Sequence, residues 1–389
     1  MRISRVHGER GMALAVAIFA LVVIGALVAG AFFAGNQEQR TARSSMYAAA
    51  AADAAEAGTA VVMADWDQFN LNTIPVGDSM TLPVTSLAGR AAYVPTVTRL
   101  NDELFLIRSV GTRTDYAGNV LAQRSVGLLA RLSYVTATAN AAVTVTKPIK
   151  FNGNAFQVIG NDSVPKGWGA EPDCKTGPNK AGVRSATTTG ASSGDTDNLF
   201  GDPAQVANDP SVTSDFFNIF GDVTFDELKQ NADIVIPYDT PQQPAPSLTA
   251  GPPQRCNVGD WNNWGEPRRA PDAYVNQCTG YFPIIYASGS SLKMSSGSRG
   301  QGLLLVEGDL EIVGGFEFSG LIVAKGGIKI NGNGNKVTGA LLAQDVAIDD
   351  ENSISGNTTL QFSSCALNKA IKGSAFGEPL ANRSWVQLY

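Results

Sequence analysis

The sequence predicts an α+β protein with a long N-terminal helix, a small antiparallel β head and a C-terminal β-solenoid that carries a disulfide-containing insertion. Three observations predict this. Residues 12–34 form an apolar run without a charge, and it passes without proline into an alanine-rich stretch. Three short alternating segments follow, separated by turn residues. Glycines then recur at near-constant spacing from Gly302 to Gly356. The expected boundaries are 1–11 for a basic leader, 12–68 for the helix, 69–139 for the head and 140–389 for the solenoid, with an insertion at 163–281.

The helix comes first. Arg2, Arg5 and Arg10 precede Gly11, and the apolar run begins at Met12. A run of this length spans a bilayer core, and the leader arginines keep that end cytoplasmic. The stretch that follows, to about Gln68, is rich in Ala, Gln, Glu and Arg, all strong helix formers. A single helix over 12–68 would be roughly 85 Å long. Two plainer readings of the same residues are an uncleaved anchor and a signal peptide cut near Ala29-Gly30-Ala31, for which the apolar run is long.

The head follows a loop at Leu71–Gly89. AAYVPTVTRL, ELFLIRSVGTRT and NVLAQRSVGLLARLSY read as strands, with turns at Asn101-Asp102 and Asp115–Asn119. Farther on, Gly302, Gly320, Gly339 and Gly356 lead similar units at spacings of 18, 19 and 17 residues. Such a period predicts coils that stack, since no single coil buries its own apolar face. The expected inward rows include Leu305, Ile322 and Leu342. An earlier segment belongs to the same array: Ile149, Phe151, Asn152, Gly153 and Val158 match Ile328, Ile330, Asn331, Gly332 and Val337.

The insertion is polar, with two short helical segments, SDFFNIFG and TFDELKQNA. Cys174, Cys256 and Cys278 lie in it, and Cys365 lies beyond it. An even count without a C-x-x-C pair favours two disulfides over a thiolate metal site, with three pairings open. The only histidine is His7, in the leader, so histidine-based catalysis and histidine metal sites are not expected in the rest of the chain. Net charge is −6 with no basic run after the leader, and nucleic acid is not an expected partner. No cofactor is expected. Asp195, Asp197 and Asp202 are a weak calcium candidate, read mainly as a solvated loop. Asp349, Asp350 and Glu351 are read as a solvated corner. Trp261, Trp264, Arg268, Arg269 and Tyr274 are a candidate binding surface for a glycan or a protein, with a lobe core as the plainer reading.

ERG-MALAVAIFALVVIGALV followed by SSMYAAAAADAAEAG resembles the N-terminal segment of PilX-type minor pilins, in the type IV pilin and type II pseudopilin superfamily. The resemblance covers about 60 residues. It implies cleavage between Gly11 and Met12, methylation of Met12, a single inner-membrane pass and later residence in a pilus at the cell surface. It implies other pilin subunits as partners of the helix. Most major pilins have Glu at the fifth mature position, where it neutralises a buried N-terminus; here that residue is Val16. The departure implies a tip or initiating subunit rather than a repeating one; no enzymatic activity is expected. A minor pseudopilin of type II secretion and a membrane-anchored β-helix enzyme acting on polysaccharide are the alternatives.

Overall fold

The computed structural model describes residues 10–66, 69, 71–133, 139–152, 155–171, 174–187, 191–193, 196–221, 223–237, 239–344, 352–373, 376–380 and 385–388. The fold is α+β: one long N-terminal helix, with strands making up most of the remaining regular structure. The chain divides into two units, Met1–Arg131 with Gly377–Tyr389, and Leu132–Phe376.

In the first unit, α1 (Arg10–Ala64) runs unbroken for 55 residues. Its N-terminal half exposes Leu14, Phe19, Leu21, Leu27 and Phe32 by 66–74%. Among the described residues it is the one helix long and apolar enough to cross a membrane, with a mean hydropathy of 2.8 in its most apolar stretch. Its C-terminal half instead buries Ala51, Ala54, Ala55 and Val62. That half packs on a sheet of β1 (Ser79–Thr81), β2 (Thr85–Leu87), β3 (Ala91–Arg99), β4 (Leu104–Thr114) and β5 (Val120–Ser133). The pairings β1–β3, β2–β3, β3–β4 and β4–β5 are all antiparallel. Small residues let the helix lie close. A Cβ on Gly111 would stand 2.0 Å from the Ala51 carbonyl oxygen, and one on Gly58 would stand 2.2 Å from the Ser109 hydroxyl. The alanines thus serve packing as well as helix propensity. The three strands read from the sequence are β3, β4 and β5, while β1 and β2 lie in the stretch read as a loop. Both expected turns form around an Asx side chain: Asn101 Oδ1 accepts from the Leu104 amide at 2.7 Å, and Asp115 Oδ1 from the Asn119 amide at 2.8 Å.

The second unit is built from β6 (Ala141–Val145), β7 (Ile149–Asn152), β8 (Gln157–Ile159), β9 (Ala181–Ser185), β10 (Ala191–Ser193), β11 (Leu199–Phe200), β12 (Gln205–Val206), the hairpin β13 (Ile219–Phe220) and β14 (Val223–Thr224), α2 (Phe225–Gln230) and β15 (Ile234–Ile236). It continues with β16 (Ile284–Ala287), β17 (Ser291–Met294), β18 (Arg299–Val306), β19 (Asp309–Val313), β20 (Glu317–Ala324), β21 (Ile328–Asn331), β22 (Asn335–Ala343), β23 (Asn352–Ser355), β24 (Thr358–Phe362) and α3 (Ser364–Gly373). One sheet runs β15-β16-β18-β20-β22-β24-β8-β11, and another runs β17-β19-β21-β23-β7-β10. The pairings in both are parallel. From β16 to β23, successive strands alternate between the two sheets.

The register places Gly302, Gly320 and Gly339 side by side. They sit inside β18, β20 and β22 with φ of 110°, 142° and 136°, a backbone conformation that favours glycine. A Cβ on Gly320 would stand 2.1 Å from the Gly302 carbonyl oxygen. Gly356 does not continue this row: Phe362 pairs with Gly339, and Gly356 stacks against Gly332 instead. The expected row of Leu305, Ile322 and Leu342 is also one residue out. The rows are Leu304–Ile322–Leu341 and Leu305–Val323–Leu342. Both rows are buried, because α3 covers β18, β20 and β22. A parallel sheet covered on both faces reads as a continuous apolar run, which hides the alternation that sets register.

The earlier segment falls into the ladder as aligned. Through β23, Phe151 shares a row with Ile330; through β24, Val158 shares one with Val337. The stretch 163–281 does not stand apart from the sheets. β9 pairs with β6, β10 with β7, β11 with β8, β12 with β9 and β15 with β16. At β22 the pairing divides: residues 335–339 face β24, and residues 341–343 face β6. One rung is therefore shared by two segments about 200 residues apart. Ser364 N donates to Asp162 Oδ1 at 2.8 Å across this seam, and the Cys174–Cys365 disulfide closes it.

SDFFNIFG forms a 3₁₀ turn (Ser214–Phe217) and β13. TFDELKQNA forms α2, with a capping box between Thr224 and Glu227. After α3 the chain returns to the first unit: β25 (Phe376–Pro379) and β26 (Trp385–Leu388) pair with β5, β26 antiparallel.

Asp209 is buried beside Arg184, which donates to it, and also accepts from the Ser211 amide at 2.9 Å and hydroxyl at 2.7 Å. The Arg184 hydrogen bond, with those of Ser211, lowers its pKa from 3.8 to about 2. A depressed carboxyl contributes stability above its unfolded pKa and loses it as pH falls through the folded value. The parent is expected to lose stability relative to Asp209→Asn between pH 3.8 and about 2. Denaturant melts at pH 5, 3 and 2 check this; parallel curves for the two proteins would refute it.

Candidate functional site

The lobe around the second disulfide, Cys256–Cys278, is organised by polar hubs. Asn263 is fully buried. Its Nδ2 donates to the Asn257 carbonyl at 2.8 Å, and its Oδ1 accepts from the Gly265 amide at 3.1 Å. Glu266 is also fully buried and accepts from the amides of Arg268, Tyr274 and Val275 at 3.0, 2.8 and 3.2 Å. Such hubs order a loop that has little apolar surface of its own.

The five residues expected as one binding surface divide. Trp264 is 1% exposed and seats on β18, where a Cβ on Gly300 would stand 2.8 Å from its own Cβ. Arg269 lies 3.9 Å over the Trp168 ring, pairs with Glu171 at 2.7 Å and reaches Gln301 Oε1 at 3.4 Å. Lys369 of α3 pairs with the same Glu171 at 2.9 Å. Burial raises the Glu171 pKa, but the hydrogen bonds from Arg269 and Lys369 outweigh it and hold the carboxyl below its usual range. Trp264 is therefore lobe core, while Arg269 is held by Trp168 and Glu171 and also lines the groove beside the lobe. Trp261 and Tyr274 are exposed, at 59% and 76%. Tyr274 lies over Arg299, 4.4 Å from guanidinium carbon to ring centre. Arg268 lies at the surface and pairs with Glu317 of β20 at 2.7 Å.

Beside the lobe, a groove of 340 Å³ runs over the N-terminal halves of β20 and β22. Its walls hold two ion pairs, Arg268–Glu317 and Lys166–Asp272, each at 2.7 Å. Ser319, Thr338, Lys336 and Arg269 also line it, with Pro165 and Pro267. Ser319 and Thr338 are 4% and 3% exposed and are neighbours in register. Among the described residues, no hydrogen-bond partner faces either hydroxyl or the Lys336 ammonium. These three were not singled out from the sequence. The signal was there: Ser319-Gly320 and Thr338-Gly339 put a hydroxyl just before the row glycine in successive repeats.

The other candidates stay dispersed. Gly11 and Met12 lie at the start of α1, and Val16 is 62% exposed. Asp195, Asp349, Asp350 and Glu351 lie outside the described residues, as do His7 and Gly153. Asp197 and Asp202 are exposed, and no group of three His, Cys, Asp or Glu side chains able to hold a metal occurs among the described residues. The four cysteines form two disulfides, Cys174–Cys365 and Cys256–Cys278. No protein family, curated protein or solved structure matches the chain.

Proposed function

We propose that the chain is a minor pilin of a type IV pilus-like filament, serving in initiation or at the tip, with an adhesin-like β-solenoid as its second unit. The observation that carries the reading is the two-part character of α1. Its first half is apolar and exposed, and its second half is buried against an antiparallel sheet. Such a helix sits in the inner membrane before assembly and among the helices of neighbouring subunits afterwards, where its exposed apolar side chains lose contact with water. Gly11-Met12 then marks the processing site after the basic leader. Val16 supplies no carboxylate for a buried N-terminus, and an unpaired charge in an apolar core is costly. Low copy number follows.

The solenoid reading is supported by the in-register parallel ladders of two sheets and by the row of Gly302, Gly320 and Gly339. As the adhesive module, this unit takes a surface glycan or protein as its partner.

Mass spectrometry of sheared filaments tests the assignment. The expected species begins at N-methylated Met12 and is far less abundant than the main subunit. A chain beginning at Met1 or Phe32 would point to an anchor or a signal peptide, and dominance of this chain in the filament would rule out a minor role.

A further inference from the structure

We propose that the groove over β20 and β22 binds a saccharide carrying a carboxylate, such as a uronic acid residue. The proposal rests on the adhesive reading for its setting and on the groove for its chemistry. At 340 Å³ the groove lies near the lower end of the usual size of small-molecule sites, matching one or two sugar rings rather than a long chain.

Its charges are almost balanced. Among the described residues, Arg268 is matched by Glu317, Lys166 by Asp272 and Arg269 by Glu171, which leaves Lys336, exposed on β22, as the unmatched cation of the lining. A ligand with a single negative charge completes this set. Inorganic phosphate, with more charge in a smaller volume, would meet the two wall carboxylates at close range. The floor offers the Ser319 and Thr338 hydroxyls, both nearly buried and without a protein partner among the described residues. A hydroxyl so placed is satisfied at little cost by a ligand hydroxyl or by water. The carboxylates of Glu317 and Asp272 retain acceptor capacity beyond their ion pairs, so the lining both donates and accepts. A sugar ring with several hydroxyls and one carboxylate presents the complementary mixture. One strand over, the exposed Tyr274 lies over Arg299, whose backbone partner is Glu317. The ring thus offers an apolar face beside the groove on which the C–H face of a second sugar can rest.

Calorimetry on the full chain in detergent, with galacturonate and its uncharged counterpart galactose as probes, tests the proposal. Galacturonate is expected to bind, and galactose to bind about tenfold more weakly or not at all. Lys336→Gln removes the unmatched charge from an exposed position, and Thr338→Val keeps the volume of the floor. Each is expected to weaken galacturonate about tenfold with an unchanged melting curve. The proposal is overturned if neither sugar binds at millimolar concentration, if both bind equally, if the variants bind as the parent does, or if inorganic phosphate displaces galacturonate at equal concentration. These outcomes leave the N-terminus of filament-borne chains unaffected, so failure here is distinguishable from failure of the minor-pilin reading.

Discussion

Ile330→Asp is expected to abolish cooperative unfolding of the second unit at pH 7. Ile330 is fully buried in a row that runs Met294–Ile312–Ile330–Ile354–Phe151 across five parallel strands. Every other member of the row is no more than 2% exposed. Removing the isoleucine forfeits roughly 1.5–3 kcal/mol of burial. A carboxylate without a partner there adds about 3–5 kcal/mol, the scale measured when a buried pair loses one member. The sum, about 5 kcal/mol or more, is comparable with the total stability of a typical domain. Rungs held mainly by their neighbours should open together. Burial raises the pKa of the introduced carboxyl. Its penalty is therefore smaller below the unfolded value near 4, where the group is neutral in both states, and grows as pH rises. The variant should regain part of its stability at pH 4 relative to pH 7. Two comparisons bound the effect. Ile330→Val should cost about 0.5–1.5 kcal/mol. Glu311→Ala, which breaks an exposed 3.1 Å pair with Lys293, should cost about 1 kcal/mol or less. Limited proteolysis with mapping of cuts inside Leu132–Phe376, alongside thermal melts, reads all three. A melt for Ile330→Asp as mild as that for Glu311→Ala would show that the row is not packed as described.

That row also shows what the sequence made legible. Of the match of Ile149, Phe151, Asn152 and Val158 to Ile328, Ile330, Asn331 and Val337, the register places Phe151 with Ile330 and Val158 with Val337 in common rows, two strands apart. A period in apolar residues survives into structure because each strand must present the same face to the stack. The position of the earlier segment was not legible. It stacks beyond β23 and β24, so the chain enters its ladder near one end and returns to build the other. No local pattern encodes a contact across about 200 residues; Asp162 and Ser364 are ordinary polar residues in the sequence. Helix α3 was missed for a different reason. Its buried face, Ala366, Leu367 and Ala370, is short, and its one sequence signal is Ser363, whose hydroxyl accepts from the Ala366 amide as an N-cap. At the candidate site, composition found the aromatic and arginine cluster but not its orientation. Trp264 and Arg269 turn inward because Gly300 leaves room for one and Trp168 and Glu171 receive the other. The groove residues escaped notice because Ser and Thr before a glycine look like turn chemistry until the register places them on one floor.

The second large effect is expected at the seam. Replacing both Cys174 and Cys365 by Ala should destabilise the second unit more than replacing both Cys256 and Cys278. The first disulfide closes a loop of 191 residues and the second one of 22. In the chain-entropy account the corresponding terms are about 5 and about 3 kcal/mol. Position adds to the difference. Cys365 lies in α3, which covers β18, β20 and β22, and Cys174 lies on the segment leading from β8 to β9. Without the bridge, β24 remains between β22 and β8, and Ser364 keeps its bond to Asp162, yet nothing covalent holds the two ends of the stack in one rung. The Cys256–Cys278 lobe, by contrast, keeps Asn263 and Glu266 as hubs when its bridge is removed, so part of its order persists. Denaturant melts of the two double variants, in detergent and without reductant, give the comparison. The first should show the lower midpoint, and cleavage sites should appear first near residues 160–180 and 360–373. If the two variants melted together, or the order were reversed, the seam would not limit the stability of the unit. The stack would then be held by its ladders alone.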